Sequence, residues 1–241
     1  MIGTKDVNKI KSILGMLLDA CRFADFHAII RSCLYSLFEE EEQKRIHNLF
    51  LPLFHDLEIR YRSYFRKENW EEDVHMRREF LDLQQMKVGR DHEDTLSIMS
   101  NLAFALNKCG QCEEAIQLCK ECLGLRKQKL GLEHEETLIT MFILASALDK
   151  NGQHSEAVHA FKECLILRQQ TLGRDHEDTL ATMSNLALAL FNNGQHKEAL
   201  QLGKEFIDLC RQKTGPIPRQ DVLALMSMLS SVLSNPPQSE K

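Results

Sequence analysis

"GRDHEDTL" stands at Gly89–Leu96 and again, letter for letter, at Gly173–Leu180. A cluster of Asp, His, Glu and Thr written twice could be a duplicated metal or catalytic site. It could equally be punctuation in a repeated structural unit. Midway between the copies, Leu130–Leu138 reads "LGLEHEETL" and keeps His134 and Thr137. Written at a period of 42, the chain falls into register. Gly89, Gly131, Gly173 and Gly215 align, as do Gly110, Gly152 and Gly194, and Ala115, Ala157 and Ala199. Self-similarity at such a period marks a stack of small supersecondary units. A motif that drifts conservatively in the middle of the array reads as a joint.

Each unit reads as two helices. Leu96, Met99, Leu102, Ala103 and Leu106 recur at helical spacing and predict a first helix over about Glu93–Lys108. Gly110 then offers a left-handed stop. Ala115, Ile116, Leu118, Cys119, Cys122 and Leu125 predict a second helix over about Glu113–Lys129. The joint follows: its glycine breaks the outgoing helix, and its acidic residues sit where the next helix dipole favours negative charge. Small residues such as Ala103 and Ala115 suit close helix crossings. Leu102, Leu106 and Leu118 are expected to fill the gaps between units.

The stretch Asn185–Gly194, "NLALALFNNG", followed by Ala199, resembles the tetratricopeptide repeat. The extended period and the LG-x-[DE]-H joint are similar to the kinesin-light-chain type of that repeat. The resemblance implies an all-α, right-handed solenoid of antiparallel helix pairs. It covers three units, 88–129, 130–171 and 172–213, together 88–213.

Outside them the letters fade while the spacing persists. Residues 43–87 read as a degenerate pair, Gln43–Arg66 plus Trp70–Lys87, in which Asp73 replaces the usual Ala and disfavours close packing. Residues 1–42 read as an N-terminal hairpin or cap. A capping helix is expected within 214–234, and 235–241 is tail-like. The net charge of -5 argues against a general attraction to nucleic acid or anionic membranes. No stretch is long and apolar enough to span a bilayer. The N-terminus is a poor secretory signal, since Asp19 and Arg22 interrupt its apolar run. Eight cysteines then suggest reduced thiols and a cytoplasmic protein.

Cys109-x-x-Cys112 and Cys119-x-x-Cys122 look like zinc-ligand spacing. Both pairs fall inside the helical frame: Cys119 aligns with Phe161 and Gly203, and Cys122 with Cys164 and Phe206. They read as packing positions, with Cys109 and Cys112 the more exposed pair. His92, His134 and His176 lie one per unit, too far apart to share an ion. No phosphate-binding loop, dinucleotide fingerprint or nucleophile elbow occurs. The expectation is no catalytic residue, no metal and no cofactor.

A solenoid of helix pairs curves so that its first helices line a concave groove. The face left over from packing carries Asn101, Phe104 and Lys108 in the first unit. In the second it carries Phe142, Ile143, Ser146 and Lys150, and in the third Asn185, Leu188, Phe191 and Asn192. Apolar residues there suggest anchors for a partner segment. In related repeats a first-helix Asn holds the backbone of an extended peptide. The resemblance carries that role to Asn101 and Asn185, while Ile143 breaks the row. The expected function is non-catalytic binding of a peptide or protein segment. Two alternatives stand beside it: an assembly or autoinhibitory module contacting its own chain or another subunit, and a thiol-based metal binder.

Overall fold

A computed structural model describes residues 70–214. The expected hairpin at 1–42, the helix at Gln43–Arg66 and the closing helix at Gln220–Leu233 lie outside these residues. Two compact units meet at the Thr95/Leu96 boundary. The described part of the first holds helix α1, Trp70–Val88, and the joint that follows it. Asp73 is buried there, and its carboxylate accepts from Nε of Arg77 at 2.8 Å, one turn on. The acid that disfavoured packing is thus neutralised locally.

Six further helices follow: α2 (Glu93–Lys108), α3 (Cys112–Lys129), α4 (Glu135–Lys150), α5 (His154–Thr171), α6 (Glu177–Asn192) and α7 (His196–Thr214). They form three hairpins, α2–α3, α4–α5 and α6–α7. Among the described residues every regular element is a helix, an all-α repeat fold. The expected element boundaries agree to within a residue or two.

The hairpin turns repeat one geometry. Gly110, Gly152 and Gly194 adopt φ of 82°, 79° and 78°, a region L-residues with a Cβ avoid. The next residue then reaches back: the N–H groups of Gln111, Gln153 and Gln195 donate to Leu106, Leu148 and Leu190 carbonyls at 2.9, 2.9 and 2.8 Å. These bonds occupy carbonyls that the ending helix would otherwise leave open.

The joint answers the question raised by its letters. Gly131 and Gly173 turn at φ of 85° and 95°. His134 and His176 then cap α4 and α6 in extended backbone, each Nδ1 accepting from the N–H two residues on, at 3.3 and 3.2 Å. His92 does the same for Asp94 at 3.2 Å. Glu93 and Asp94, Glu135 and Glu136, Glu177 and Asp178 occupy the first turns. Acids at this end interact favourably with the helix dipole. The cluster starts helices.

The core follows the same register. Leu96, Met99, Leu102, Ala103 and Leu106 are buried on α2, and so are their equivalents on α4 and α6. Ala115, Ala157 and Ala199 are buried to 1% exposure or less, where the second helices need close approach. Leu118, expected to be a gap filler, is only half-buried. Volumes trade between neighbours. Phe161 packs edge-on against Phe142 at 5.7 Å, while the first hairpin places Cys119 and Ser100 at those positions and the third places Gly203 and Ser184.

Candidate functional site on the first-helix face

Within the second unit, the first helices of successive hairpins touch through polar pairs. Ser100 and Thr140 hydroxyls lie 3.0 Å apart. Nδ2 of Asn107 donates to Ser146 Oγ at 3.0 Å, and Lys150 Nζ donates to the Asn107 carbonyl at 2.9 Å. One repeat further on, Asn192 Nδ2 reaches both Asp149 carboxylate oxygens at 3.3 and 3.2 Å. The contacts set α2, α4 and α6 side by side and leave one face of the three helices available.

The expected groove residues differ in how far they stay open on this face. Asn101, Phe104 and Lys108 are exposed. Phe104 is 39% exposed, with the Lys108 ammonium 5.1 Å from its ring centroid. Among the described residues no hydrogen bond engages the Asn101 amide. Leu188 is half-buried, as is Asn185, whose Nδ2 donates to the Ala181 carbonyl of its own helix at 2.8 Å. Ser146, Lys150 and Asn192 are engaged in the contacts between repeats described above. Phe142 lies against Phe161 and over the Arg168 guanidinium, 5.2 Å away. Phe191 lies 5.0 Å from the His196 ring. Ile143 is buried at 6% exposure and offers no open anchor.

Sequence reasoning passed over two arginines. Arg126 and Arg168 stand 42 positions apart on the packed face of the second helices, four residues after Cys122 and Cys164. Both are buried, at 1% and 4% exposure. The recurrence of a charge in an otherwise apolar register was the available signal. Each arginine crosses to the first helix of the next hairpin. Nη1 of Arg126 donates to the Glu136 carbonyl at 2.6 Å, Thr140 Oγ1 at 2.7 Å and Ser100 Oγ at 3.0 Å. Its Nη2 pairs with Glu136 Oε2 at 2.7 Å. Nη1 of Arg168 likewise donates to the Asp178 carbonyl and to Thr182 Oγ1, both at 2.9 Å. The second seam differs in what surrounds the guanidinium. Ile139 and Phe142 replace Ser97 and Ser100. Asp178 replaces Glu136 and is one methylene shorter. Nε of Arg168 is buried without a partner among the described residues.

The cysteines are packing groups. Cys122 donates to the Leu96 carbonyl at 3.3 Å, and Cys164 to the Leu138 carbonyl at 3.6 Å. Burial raises the Cys119 thiol from 9.0 to about 12, with Cys122 adding to the rise and Arg126 opposing it. Burial likewise raises Cys164 to about 11. Thiols held in the neutral form are poor nucleophiles and poor ligands. The first pair is the more exposed one, as expected, since Cys119 and Cys122 are both at 0%. Cys109 is partly exposed, but Cys112 is buried at 7%, its thiol directed 3.8 Å from Asn107 Oδ1. The α3 helix begins at Cys112, one residue earlier than expected, which draws that side chain inward. Among the described residues no three His, Cys, Asp or Glu side chains gather where an ion could be held, and no helix is long and apolar enough to cross a membrane.

The tetratricopeptide repeat family model matches residues 94–165 and again residues 150–212. Among solved structures, a variant of a Podosopora anserina kinesin light chain with nearly identical tetratricopeptide-like repeats is 21% identical, with a TM-score of 0.55 over 86% of this chain and 88% of that one. Another structure of such a Podosopora anserina protein is 19% identical, with a TM-score of 0.54 over 89% of this chain and 99% of that one. BtubC (BKLC) from P. vanneervenii is 15% identical, with a TM-score of 0.59 over 95% and 83%. At these identities the likeness is one of fold. No curated protein matches the sequence.

Proposed function

Because this chain is a tetratricopeptide-repeat protein across residues 94–212, we propose that it is a non-catalytic scaffold whose first-helix face, the inner face of the stack, holds an extended segment of a partner protein. One observation carries the reading. Asn101, Phe104 and Lys108 stand exposed on one stripe of α2, and the amide of Asn101 has no internal hydrogen bond among the described residues. An exposed phenylalanine between an open amide and a lysine suits a docked segment. An amide can donate to a peptide carbonyl and accept from a peptide N–H at once. Phe104 supplies apolar area beside it. Leu188 and Asn185 extend the face on α6. The stack is preorganised, so the partner bears most of the ordering cost. The cytoplasm suits such a protein with its neutral buried thiols.

The test is capture of partners by wild-type protein and by the Asn101→Glu/Phe104→Glu variant, compared by quantitative mass spectrometry. Circular dichroism would show that the variant keeps its helices, since both positions are exposed. Loss of a defined set of partners is expected. Capture unchanged by the substitutions would remove the first-helix face as the binding surface.

A further inference from the structure

Two of the three hairpin turns are written Asn-Gly, at Asn151–Gly152 and Asn193–Gly194, where the first turn has Cys109–Gly110. A peptide nitrogen can attack the side-chain carbonyl carbon of the Asn before it when no Cβ crowds that nitrogen, and glycine has none. At Gly152 and Gly194 no atom stands within 4 Å of where a Cβ would be. The folded turns nevertheless hold the reacting groups apart. Asn151 and Asn193 have ψ of 3° and 4°, which places the glycine nitrogen beside the Asn backbone nitrogen and turns it away from the side chain. The Gly152 and Gly194 N–H groups donate to the Asp149 and Phe191 carbonyls at 3.1 and 3.0 Å. The Asn151 and Asn193 amides donate forward to Gln153 and Gln195 Oε1 at 3.1 and 3.0 Å. Reaction therefore requires the turn to open, and local opening costs less than global unfolding.

We propose that Asn151 and Asn193 are sites of spontaneous amide loss gated by turn opening, and that the third hairpin is modified before the second. The second turn is clamped across the reacting peptide. Nδ1 of His154 lies 2.8 Å from Asp149 Oδ1, so a side-chain bridge joins the residues on either side of Asn151–Gly152. Asn192 holds the same carboxylate from the next repeat at 3.2 and 3.3 Å. The third turn has Phe191 and His196 in those places, in ring contact at 5.0 Å. Nδ1 of His196 is buried without a partner among the described residues. The Asn192 bond also anchors the end of α6, but upstream of the peptide that reacts.

In the opened turn the glycine nitrogen loses its proton to solvent and bonds to Asn Cγ. The Cγ–Nδ2 bond breaks, and Nδ2 leaves as ammonia. Water then opens the cyclic imide at either carbonyl. One product is Asp; the other is an isoaspartyl link, with one methylene more in the main chain. Both put a carboxylate at the C-terminal end of α4 or α6, where the helix dipole disfavours negative charge. The first hairpin has no amide to lose.

The intact protein is aged in mildly alkaline buffer, and conversion at each Asn is followed by peptide mass mapping, with fragmentation that separates Asp from isoaspartyl. Asn193 should convert about two- to tenfold faster than Asn151, the factor one hydrogen-bonded bridge supplies. His154→Ala removes the bridge and should bring Asn151 close to the Asn193 rate; circular dichroism checks that its helices remain. Both sites should convert faster in urea-unfolded protein. Conversion at Asn193 no faster than at Asn185, which precedes Leu186, would overturn the assignment. Asn151 converting as fast as Asn193 in the wild type, or an unchanged ratio in His154→Ala, would overturn the clamp. Equal rates in folded and unfolded protein would overturn the gating.

Discussion

Replacing Arg126 and Arg168 with alanine, one at a time, compares the two seams directly. Nη1 carries two N–H groups, so at each seam it makes at most two full hydrogen bonds from the charged group. At about 1.5 kcal/mol each, their loss is worth about 3 kcal/mol. Removing the buried stem adds about 2 kcal/mol at about 0.8 per methylene. These terms are common to both sites. The difference lies elsewhere. Arg126 also gives up its pair with Glu136, but that carboxylate is 38% exposed, and the screened pair contributes at most about 1 kcal/mol. Arg168 gives up its contact with Phe142, of about 0.5–1 kcal/mol. Its removal also relieves the unpartnered Nε, whose burial costs about 1–3 kcal/mol. Arg168→Ala should therefore be milder than Arg126→Ala by about 2 kcal/mol, against a loss for Arg126→Ala of about 5–6 kcal/mol. Equilibrium urea unfolding followed by far-ultraviolet circular dichroism measures both. Hydrogen exchange at Thr140 and Thr182 shows whether the loss is confined to the seam. Arg168→Ala costing as much as Arg126→Ala, or more, would refute the view that the second seam holds an incompletely paired charge.

Three further outcomes follow from the joint and from the thiols. His134→Ala removes the acceptor for the Glu136 N–H and should cost about 1 kcal/mol, with Asn at the same position restoring most of it; exchange of the Glu136 amide reports the fraying, and equal protection in the Ala variant would argue that the ring does not cap. The Cys119 thiol keeps its proton in the folded protein well above 9.0, to about 12, so its contribution is complete below pH 9 and is lost as pH rises toward that value. The urea midpoint should therefore fall between about pH 9 and pH 11 more steeply in the wild type than in Cys119→Ala, and parallel pH profiles would contradict this. Under native conditions iodoacetamide should label Cys109 before Cys112, Cys119, Cys122 and Cys164, as read by peptide mass mapping.

The helix pairs were legible because their causes are local. A glycine at positive φ, a capping His and two acids in the first turn act over a few residues, and their recurrence every 42 positions identifies the unit. The packed face was legible for the same reason: Leu96, Met99, Ala103 and Leu106 declare it by spacing, and the structure buries them all. The open face was only partly so. Helical spacing placed Phe142, Ile143 and Lys150 with Phe104, but spacing does not show what a neighbouring helix does. Phe142 turns toward Phe161 because the middle hairpin alone puts two large rings at those positions, and Lys150 is drawn to the end of α2 by the Asn107 carbonyl. The arginines were illegible for a related reason. A charge on an apolar face looks like an exception until the partners that satisfy it, Thr140 and the Glu136 carbonyl, arrive from the next repeat.

The sequence by itself determined where helices start, stop and turn, and which stripe of each is apolar, because those are matters of backbone conformation and hydration within a few residues. Tertiary structure alone decided which polar groups are satisfied across a seam and which are left over. That depends on reach between residues 10 to 43 positions apart, where one methylene separates the paired guanidinium of Arg126 from the unpaired one of Arg168.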